Sequence, residues 1–111
     1  MNVSFTRAAE ADLVAAIQWY EDQREGLGVR FAERVDEAVA VIAANPLTFP
    51  KVIGDARRIG LRKFPYNLWY RVEPDESIVI GCIHAKRDAR LARDRALGVI
   101  EMPKPPEPKP S

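Results

Sequence analysis

Four positive charges occupy seven positions at the start of the segment RRIGLRKFPYNLWYRV, residues 57–72. Like charges placed side by side in a sheet repel one another, so this density of cations is unfavourable unless an anion offsets it. Arginine binds phosphate oxygens in pairs through its planar fork. The segment therefore predicts contact with a phosphate group or an acidic partner, and the alternative is a solvated sheet face. The four cations are Arg57, Arg58, Arg62 and Lys63.

Proton-transfer chemistry depends on His84, which is the only histidine of the chain. An unperturbed histidine titrates near ~6.5, which suits a general acid or base. A metal-free RNA-cleaving site would combine it with Arg62 and Arg87, whose charges would stabilise the extra negative charge on phosphorus. The alternative is a strand-end histidine that hydrogen-bonds to backbone or to a carboxylate.

Several classes of protein are excluded or disfavoured by composition. The single cysteine, Cys82, cannot form an internal disulfide or a cysteine-based zinc site, and its apolar surroundings predict a buried thiol. We find no nucleotide-binding loop, hydrolytic triad or metal cluster, so we expect no cofactor and no metal. No stretch approaches the ~18 apolar residues needed to span a bilayer, and the N-terminus has no apolar signal region. We therefore expect a cytoplasmic protein with no membrane partner.

The charge is distributed unevenly along the chain. Residues 1–50 hold four cations and eight acids, a net charge of −4, whereas residues 51–100 hold eleven cations and six acids, a net charge of +5. A dipolar domain of this kind often has one half that faces anions. The alternative is that the two halves only pair with each other.

Hydrophobic periodicity predicts the elements that must position these groups. A short strand at residues 2–5 is followed by Thr6, a suitable N-cap for a first helix. The segment Gly26-Leu27-Gly28 ends that helix, and a second helix runs from about Val29 to Ala44, where Asn45 and Pro46 stop it. The short turn makes the two helices an antiparallel hairpin. The apolar stripe of the first helix consists of Leu13, Ala16, Ile17 and Tyr20.

A period of two follows a loop predicted at residues 46–55 and indicates three strands. Their alternation places Arg58, Arg62, Trp69 and Arg71 on the sheet face away from the helices. The third strand, residues 77–85, is apolar on both faces, so it should be central and pair with the N-terminal strand. Its two apolar faces are predicted to be Ile78, Ile80 and Cys82 on one side and Val79 and Ile83 on the other.

The order β-α-α-β-β-β predicts an α+β fold, with the helical hairpin packed on one face of a small, mostly antiparallel sheet. Residues 1–100 are predicted to form one domain. Residues 89–100 form either a short helix or a loop. Residues 101–111 contain five prolines and predict an extended, solvated tail.

The chain resembles the RelE/ParE superfamily of toxins from type II toxin–antitoxin modules over about residues 2–90. The resemblance is carried by VSFTRAAEADLVAAIQWYED, the GLG helix turn, NPLTFPKV, RRIGLRKFPYNLWYRV and HAKRD. It is closest to the ParE-like branch, often called plasmid-stabilisation proteins. The family fold is a helical hairpin against a small, mostly antiparallel sheet, which is the fold predicted above.

The resemblance implies a toxin that a cognate antitoxin neutralises within a hetero-oligomer. ParE-like toxins inhibit DNA gyrase, whereas RelE-like toxins cut messenger RNA on the ribosome without a metal. RelE-like nucleases usually add a tyrosine or a further basic group near the C-terminus, and nothing aromatic follows His84, so gyrase is the favoured target. A non-toxic interaction module with the same fold is the further alternative. The predicted target-binding residues are Arg57, Arg58, Arg62, Lys63, Trp69, Arg71, Lys86 and Arg87.

Overall fold

A computed structural model describes residues 1–98 of the chain. The predicted order of elements is confirmed, with one further strand and one further helix. The elements are β1 (Asn2–Phe5), α1 (Arg7–Gln23), α2 (Leu27–Ala44), β2 (Lys51–Ile53), β3 (Ala56–Gly60), β4 (Tyr66–Val72), β5 (Glu76–His84) and α3 (Ala89–Ala96). The tail predicted for residues 101–111 lies outside the described residues.

The five strands form one sheet in the order β1-β5-β4-β3-β2. Strand β1 pairs with β5 in parallel, and the other neighbouring pairs are antiparallel. The prediction of a central third strand beside the N-terminal strand is therefore confirmed. Strand β1 covers β5 only from Glu76 to Val79, so the rest of that edge of β5 has no neighbouring strand.

The loop predicted for residues 46–55 was only partly right. Residues Lys51–Ile53 form β2, which pairs with β3 as the outer strand of the sheet. The turn residues Pro50 and Gly54 flank this strand, so the sequence pattern indicated a loop and not a strand of three residues. Gly54 has a positive φ of 55°, which suits the turn.

The residues at the start of each hairpin helix explain where that helix begins. The Thr6 hydroxyl accepts a hydrogen bond from the Ala9 N–H at 3.1 Å and so caps α1. Helix α2 begins two residues earlier than predicted, at Leu27, after Gly26 with a left-handed φ of 85°. A side chain at Gly28 would place its Cβ 2.8 Å from the Ile17 carbonyl oxygen, so glycine permits the close approach of the two helices.

The hairpin packs on one face of the sheet and encloses the larger hydrophobic core. Phe31, Leu68, Tyr70 and Val79 are fully buried in it, and Leu13 and Ile17 pack against it. The Tyr20 and Phe31 rings stack with centroids 5.2 Å apart, and Phe64 meets both rings edge-on. This packing confirms the predicted apolar stripe of the first helix.

Helix α3 covers the opposite face of the sheet and makes a second, smaller core. Ala92 and Ala96 are its buried residues, and they pack with Trp69, Ile80 and Ile83. Residues 89–100 had been predicted as either a helix or a loop, and Ala89–Ala96 is a helix. The sheet is therefore covered on both faces.

The predicted faces of β5 are wrong after Ile80 because the strand contains a bulge. Trp69 of β4 pairs with Gly81 and Tyr70 pairs with Val79, so Ile80 is left without an opposite residue. An extra residue in one strand reverses the alternation beyond it. Cys82 consequently joins Val79 in the larger core, and Ile80 lies with Ile83 under α3.

Candidate functional site

His84 ends β5 and faces the larger core, directly opposite Tyr66 of β4. The two rings meet edge-on with centroids 5.3 Å apart. The Nδ1 atom of His84 accepts hydrogen bonds from the backbone N–H groups of Lys86 and Arg87, both at 3.1 Å. Backbone N–H groups only donate, so Nδ1 must carry its lone pair and the proton of the neutral ring lies on Nε2. His84 thus holds the turn that leads into α3.

Tyr66 brings a phenol beside this histidine. Its hydroxyl accepts a hydrogen bond from Arg87 Nη2 at 3.3 Å. Burial raises the pKa of Tyr66 above its ordinary value, and the Arg87 charge opposes that rise. The phenol therefore stays protonated at neutral pH. The strand register brings Tyr66 to His84, and the sequence alone did not indicate this pairing.

A cleft of about 240 Å³ opens between α1 and α3 at this end of β5. His84, Tyr66 and Arg87 line it, together with Trp19 of α1 and Leu91 of α3. Trp19 is 48% exposed, although it is a large aromatic residue. The cleft thus combines an apolar wall with the Arg87 cation and with two groups able to exchange protons, the imidazole of His84 and the phenol of Tyr66.

Asp12 and Arg95 close the edge of β5 that β1 leaves uncovered. Both Arg95 guanidinium Nη atoms donate to the Asp12 carboxylate, at 2.8 and 3.1 Å. Asp12 also accepts the Cys82 N–H at 3.1 Å, and Arg95 donates to the Ile80 carbonyl at 3.0 Å. The ion pair therefore satisfies backbone groups that a neighbouring strand would otherwise pair, and it joins α1 to α3.

The four cations of the opening segment lie in different environments. Arg57 is half-buried and donates to the Phe49 carbonyl, which ties the preceding loop to β3. Arg58 is exposed and lies over the Trp69 ring, with its guanidinium carbon 5.6 Å from the ring centroid. Arg62 does not share the face of Arg58, since it reaches Glu37 of α2 at 3.6 Å. That part of the face prediction is wrong because β3 ends at Gly60, before Arg62.

The other predicted target-binding residues also differ in exposure. Trp69 is 3% exposed and packs under α3, so its ring does not reach the surface. The Nη2 atom of Arg71 lies 3.9 Å from Oε1 of Glu73, so these two side chains form an ion pair. Lys86 and Arg87 are exposed in the turn before α3. The predicted residues are thus distributed over both faces of the sheet.

A second cleft, of about 360 Å³, lies between α2 and the β3–β4 turn. Tyr20, Leu27 and Phe64 provide apolar lining, and Arg30, Arg34 and Lys63 also line it. Arg34 also lines a neighbouring groove of about 100 Å³ with Val41, Ile59 and Arg62. We call these two features, which share Arg34, the α2 groove. The sequence analysis did not single out Arg30 and Arg34, since their proximity to Lys63 depends on the fold.

Two absences concern only the part of the chain that the structure describes. Within residues 1–98, no three His, Cys, Asp or Glu side chains come together in a group that could hold a metal ion. None of the helices described there has the length and apolar character needed to cross a membrane.

Comparisons with known proteins agree with this architecture. Residues 3–89 match the family described as the ParE toxin of the type II toxin–antitoxin system parDE. A chain from a solved structure of the chromosomal ParDE TA system of P. aeruginosa has the same fold, with a TM-score of 0.68 and 22% identity. The similarity covers 78% of this chain and 97% of that chain. A search among curated proteins found no match. Because the family match extends from β1 to the start of α3, this chain belongs to the ParE toxin family of type II toxin–antitoxin systems.

Proposed function

We propose that this protein is a toxin that poisons DNA gyrase by binding it, and that a cognate antitoxin neutralises the toxin. Membership of the ParE toxin family supports the proposal, since ParE-like toxins act on gyrase. The observation that carries it is the hydrogen bonding of His84. A binding poison needs a stable surface, whereas a metal-free nuclease needs a free base and a free acid.

His84 is poorly arranged to act as a base. The only nitrogen of the neutral ring that can take a proton is Nδ1, and two backbone N–H groups already donate to it. Protonation there would break both hydrogen bonds and release the turn before α3. Arg62, another proposed catalytic group of the nuclease alternative, pairs with Glu37 and lines the α2 groove, whereas His84 lines the cleft between α1 and α3.

The ribosome-dependent nuclease remains the second candidate, and one observation favours it. Tyr66, Arg87 and His84 line one cleft, so a phenol, a cation and an imidazole are available close together. A protonated phenol can serve as a general acid toward a leaving oxygen. In that mechanism Arg87 would stabilise the phosphorane charge.

Two substitutions of His84 separate the candidates. Asparagine places an oxygen acceptor at the position of Nδ1, so His84→Asn keeps the turn but removes the imidazole. His84→Ala removes both. If the protein poisons gyrase, His84→Asn should inhibit supercoiling by purified gyrase as strongly as the parent, and His84→Ala should be weaker. Cleavage of messages at ribosomal A-site codons that both variants abolish would overturn the gyrase proposal.

We propose the α2 groove as the antitoxin site. The Asp12–Arg95 pair occupies the uncovered edge of β5, which leaves that edge few free backbone groups for an added strand. The α2 groove instead offers apolar lining flanked by Arg30, Arg34 and Lys63, which suits an amphipathic segment with acidic residues. Strand addition at the outer strand β2 is the alternative route.

Charge reversal tests this site. Arg30→Glu should weaken antitoxin binding by at least tenfold, and the loss should shrink at high salt because exposed charges are screened. The matched control is Arg24→Glu, which makes the same charge change at an exposed residue that does not line the groove. Equal losses in the two variants, measured by calorimetry against the antitoxin encoded next to the toxin, would contradict the assignment.

A further inference from the structure

The outer side of α3 carries positive charge that the function proposed above does not use. Arg90 and Arg93 are exposed and line one surface depression with Ala89 and Asp94. Ala89 also lines a cleft of about 110 Å³ that Arg58 borders. The three arginines therefore lie around the same end of α3. We call Arg58, Arg90 and Arg93 the α3 basic face.

The charges of the α3 basic face are not neutralised by carboxylates of residues 1–98. None of its three arginines lies within 4.0 Å of a carboxylate there, whereas Arg34, Arg62, Arg71 and Arg95 each have such a partner. Asp94 offsets part of the charge, since it borders the same depression. The guanidinium of Arg58 is already oriented, because it lies against the buried Trp69 ring.

The charge of the whole molecule would orient this face toward an anion. The hairpin half, residues 1–50, has a net charge of −4, and residues 51–98 have a net charge of +5. Helix α3 covers the sheet face opposite the hairpin, so the acidic half lies on the far side of the sheet. A dipole of this kind raises the association rate with a negatively charged partner.

The composition of the face indicates which polyanion it fits. Single-stranded nucleic acids are held by exposed aromatic rings on which bases stack. Trp69, the aromatic residue of this face, is 3% exposed and therefore not available for stacking. Specific protein interfaces have a desolvated, largely uncharged centre, whereas Arg90 and Arg93 are exposed, charged and without a carboxylate partner among residues 1–98. Arginine forks match phosphate oxygens.

We propose that the α3 basic face binds the phosphate backbone of duplex DNA without reading its sequence. Helix α3 has eight residues, about 12 Å in length, which is enough to span neighbouring phosphates, and contacts to phosphates carry no sequence information. The affinity is therefore dominated by the release of counterions and falls steeply with salt. The proposal does not depend on gyrase, because it concerns free DNA.

The test is fluorescence anisotropy of the full-length protein with a labelled duplex of about 20 base pairs, between about 50 and 200 mM salt. Three phosphate contacts predict a slope of log K against log salt near −3. The variant Arg90→Gln/Arg93→Gln should reduce that steepness by about 2 and weaken binding at the lowest salt by at least tenfold. The matched control Arg7→Gln/Arg24→Gln makes the same charge change at exposed residues of the hairpin and should bind as the parent does.

Each other outcome overturns the proposal. Equal losses in the two double variants would mean that only net charge matters, and no binding at the lowest salt would exclude DNA altogether. Tighter binding of a single-stranded RNA of equal length would assign a different ligand. Circular dichroism and the thermal midpoint establish that the variants are folded. If the α3 double variant does not fold, Arg58→Gln on β3 takes its place, with an expected slope change of about 1.

Discussion

Removing Asp12 should be among the most destabilising polar substitutions in this protein. Its carboxylate accepts two hydrogen bonds from Arg95 and one from the Cys82 N–H. The Asp12→Ala variant leaves that N–H without a hydrogen-bond acceptor, which costs ~1–3 kcal/mol of stability, and it leaves Arg95 without its counterion. Breaking a fully buried pair costs ~3–5 kcal/mol, but the Asp12 and Arg95 side chains are 15% and 22% exposed. We therefore expect a loss of about 3 kcal/mol, the lower end of that range.

The assay is urea denaturation followed by circular dichroism, on Asp12→Ala, Arg95→Ala and the double variant. With a slope of about 2 kcal/mol per molar urea, a loss of about 3 kcal/mol lowers the midpoint by about 1.5 M. The double variant should lose less than the sum of the single variants, by about 2 kcal/mol, because each single change leaves a charge behind. Losses that add within about 0.5 kcal/mol would refute the idea that the pair acts as one unit.

Three further predictions follow from the core. Gly28→Ala should cost ~1–3 kcal/mol of stability because the new Cβ would lie 2.8 Å from a backbone oxygen. The control is Gly60→Ala, whose Cβ would make an ordinary contact at 3.5 Å. Equal denaturation midpoints for the two variants would contradict this packing. Phe31→Ala should cost ~3–5 kcal/mol, since this fully buried ring contacts three others; a loss under ~1 kcal/mol would show that it does not anchor the hairpin. Burial and the nearby Asp12 charge raise the pKa of Cys82 to about 12. The unfolded thiol ionises first, so stability should fall by up to ~1.4 kcal/mol per pH unit above pH ~9, and Cys82→Ala should flatten that fall; the same fall in both proteins would exclude the thiol as its cause.

The sequence predicted those parts of the fold that depend on regular periodicity. The stripe of α1 and the buried character of β5 follow from residue spacing alone, and the cap at Thr6 follows from its chemistry. The faces of β5 after Ile80 could not be predicted, because a bulge adds one residue without any change in the apolar pattern. Helix α3 was ambiguous because its buried contacts are alanines, which give little hydrophobic signal.

The candidate site was less predictable than the fold, since it depends on register and on side-chain partners. The sequence singled out His84 as a candidate acid or base, but the backbone donors that occupy its Nδ1 come from a turn whose conformation the sequence did not indicate. Tyr66 reaches it only through the pairing of β4 with β5. Arg57 and Arg58 are neighbours in the chain, yet one holds a loop and the other lies over Trp69. The two arginine side chains thus make different contacts because they lie on opposite faces of the sheet.

The bulge in β5 has a consequence for the order in which parts of the native structure can form. Without it, Cys82 and Ile83 would exchange sides and His84 would turn away from Tyr66, and both sides would still be apolar. Hydrophobic burial therefore favours the bulged register of this strand only weakly over the register without a bulge. Two other features select the bulged register. A Cβ at Gly81 would lie 2.7 Å from the Ile83 side chain, and the Ile80 carbonyl accepts a hydrogen bond from Arg95. Because Arg95 belongs to α3, the group that selects the correct register follows β5 in the chain, so the register of β5 is fixed only when α3 packs on the sheet.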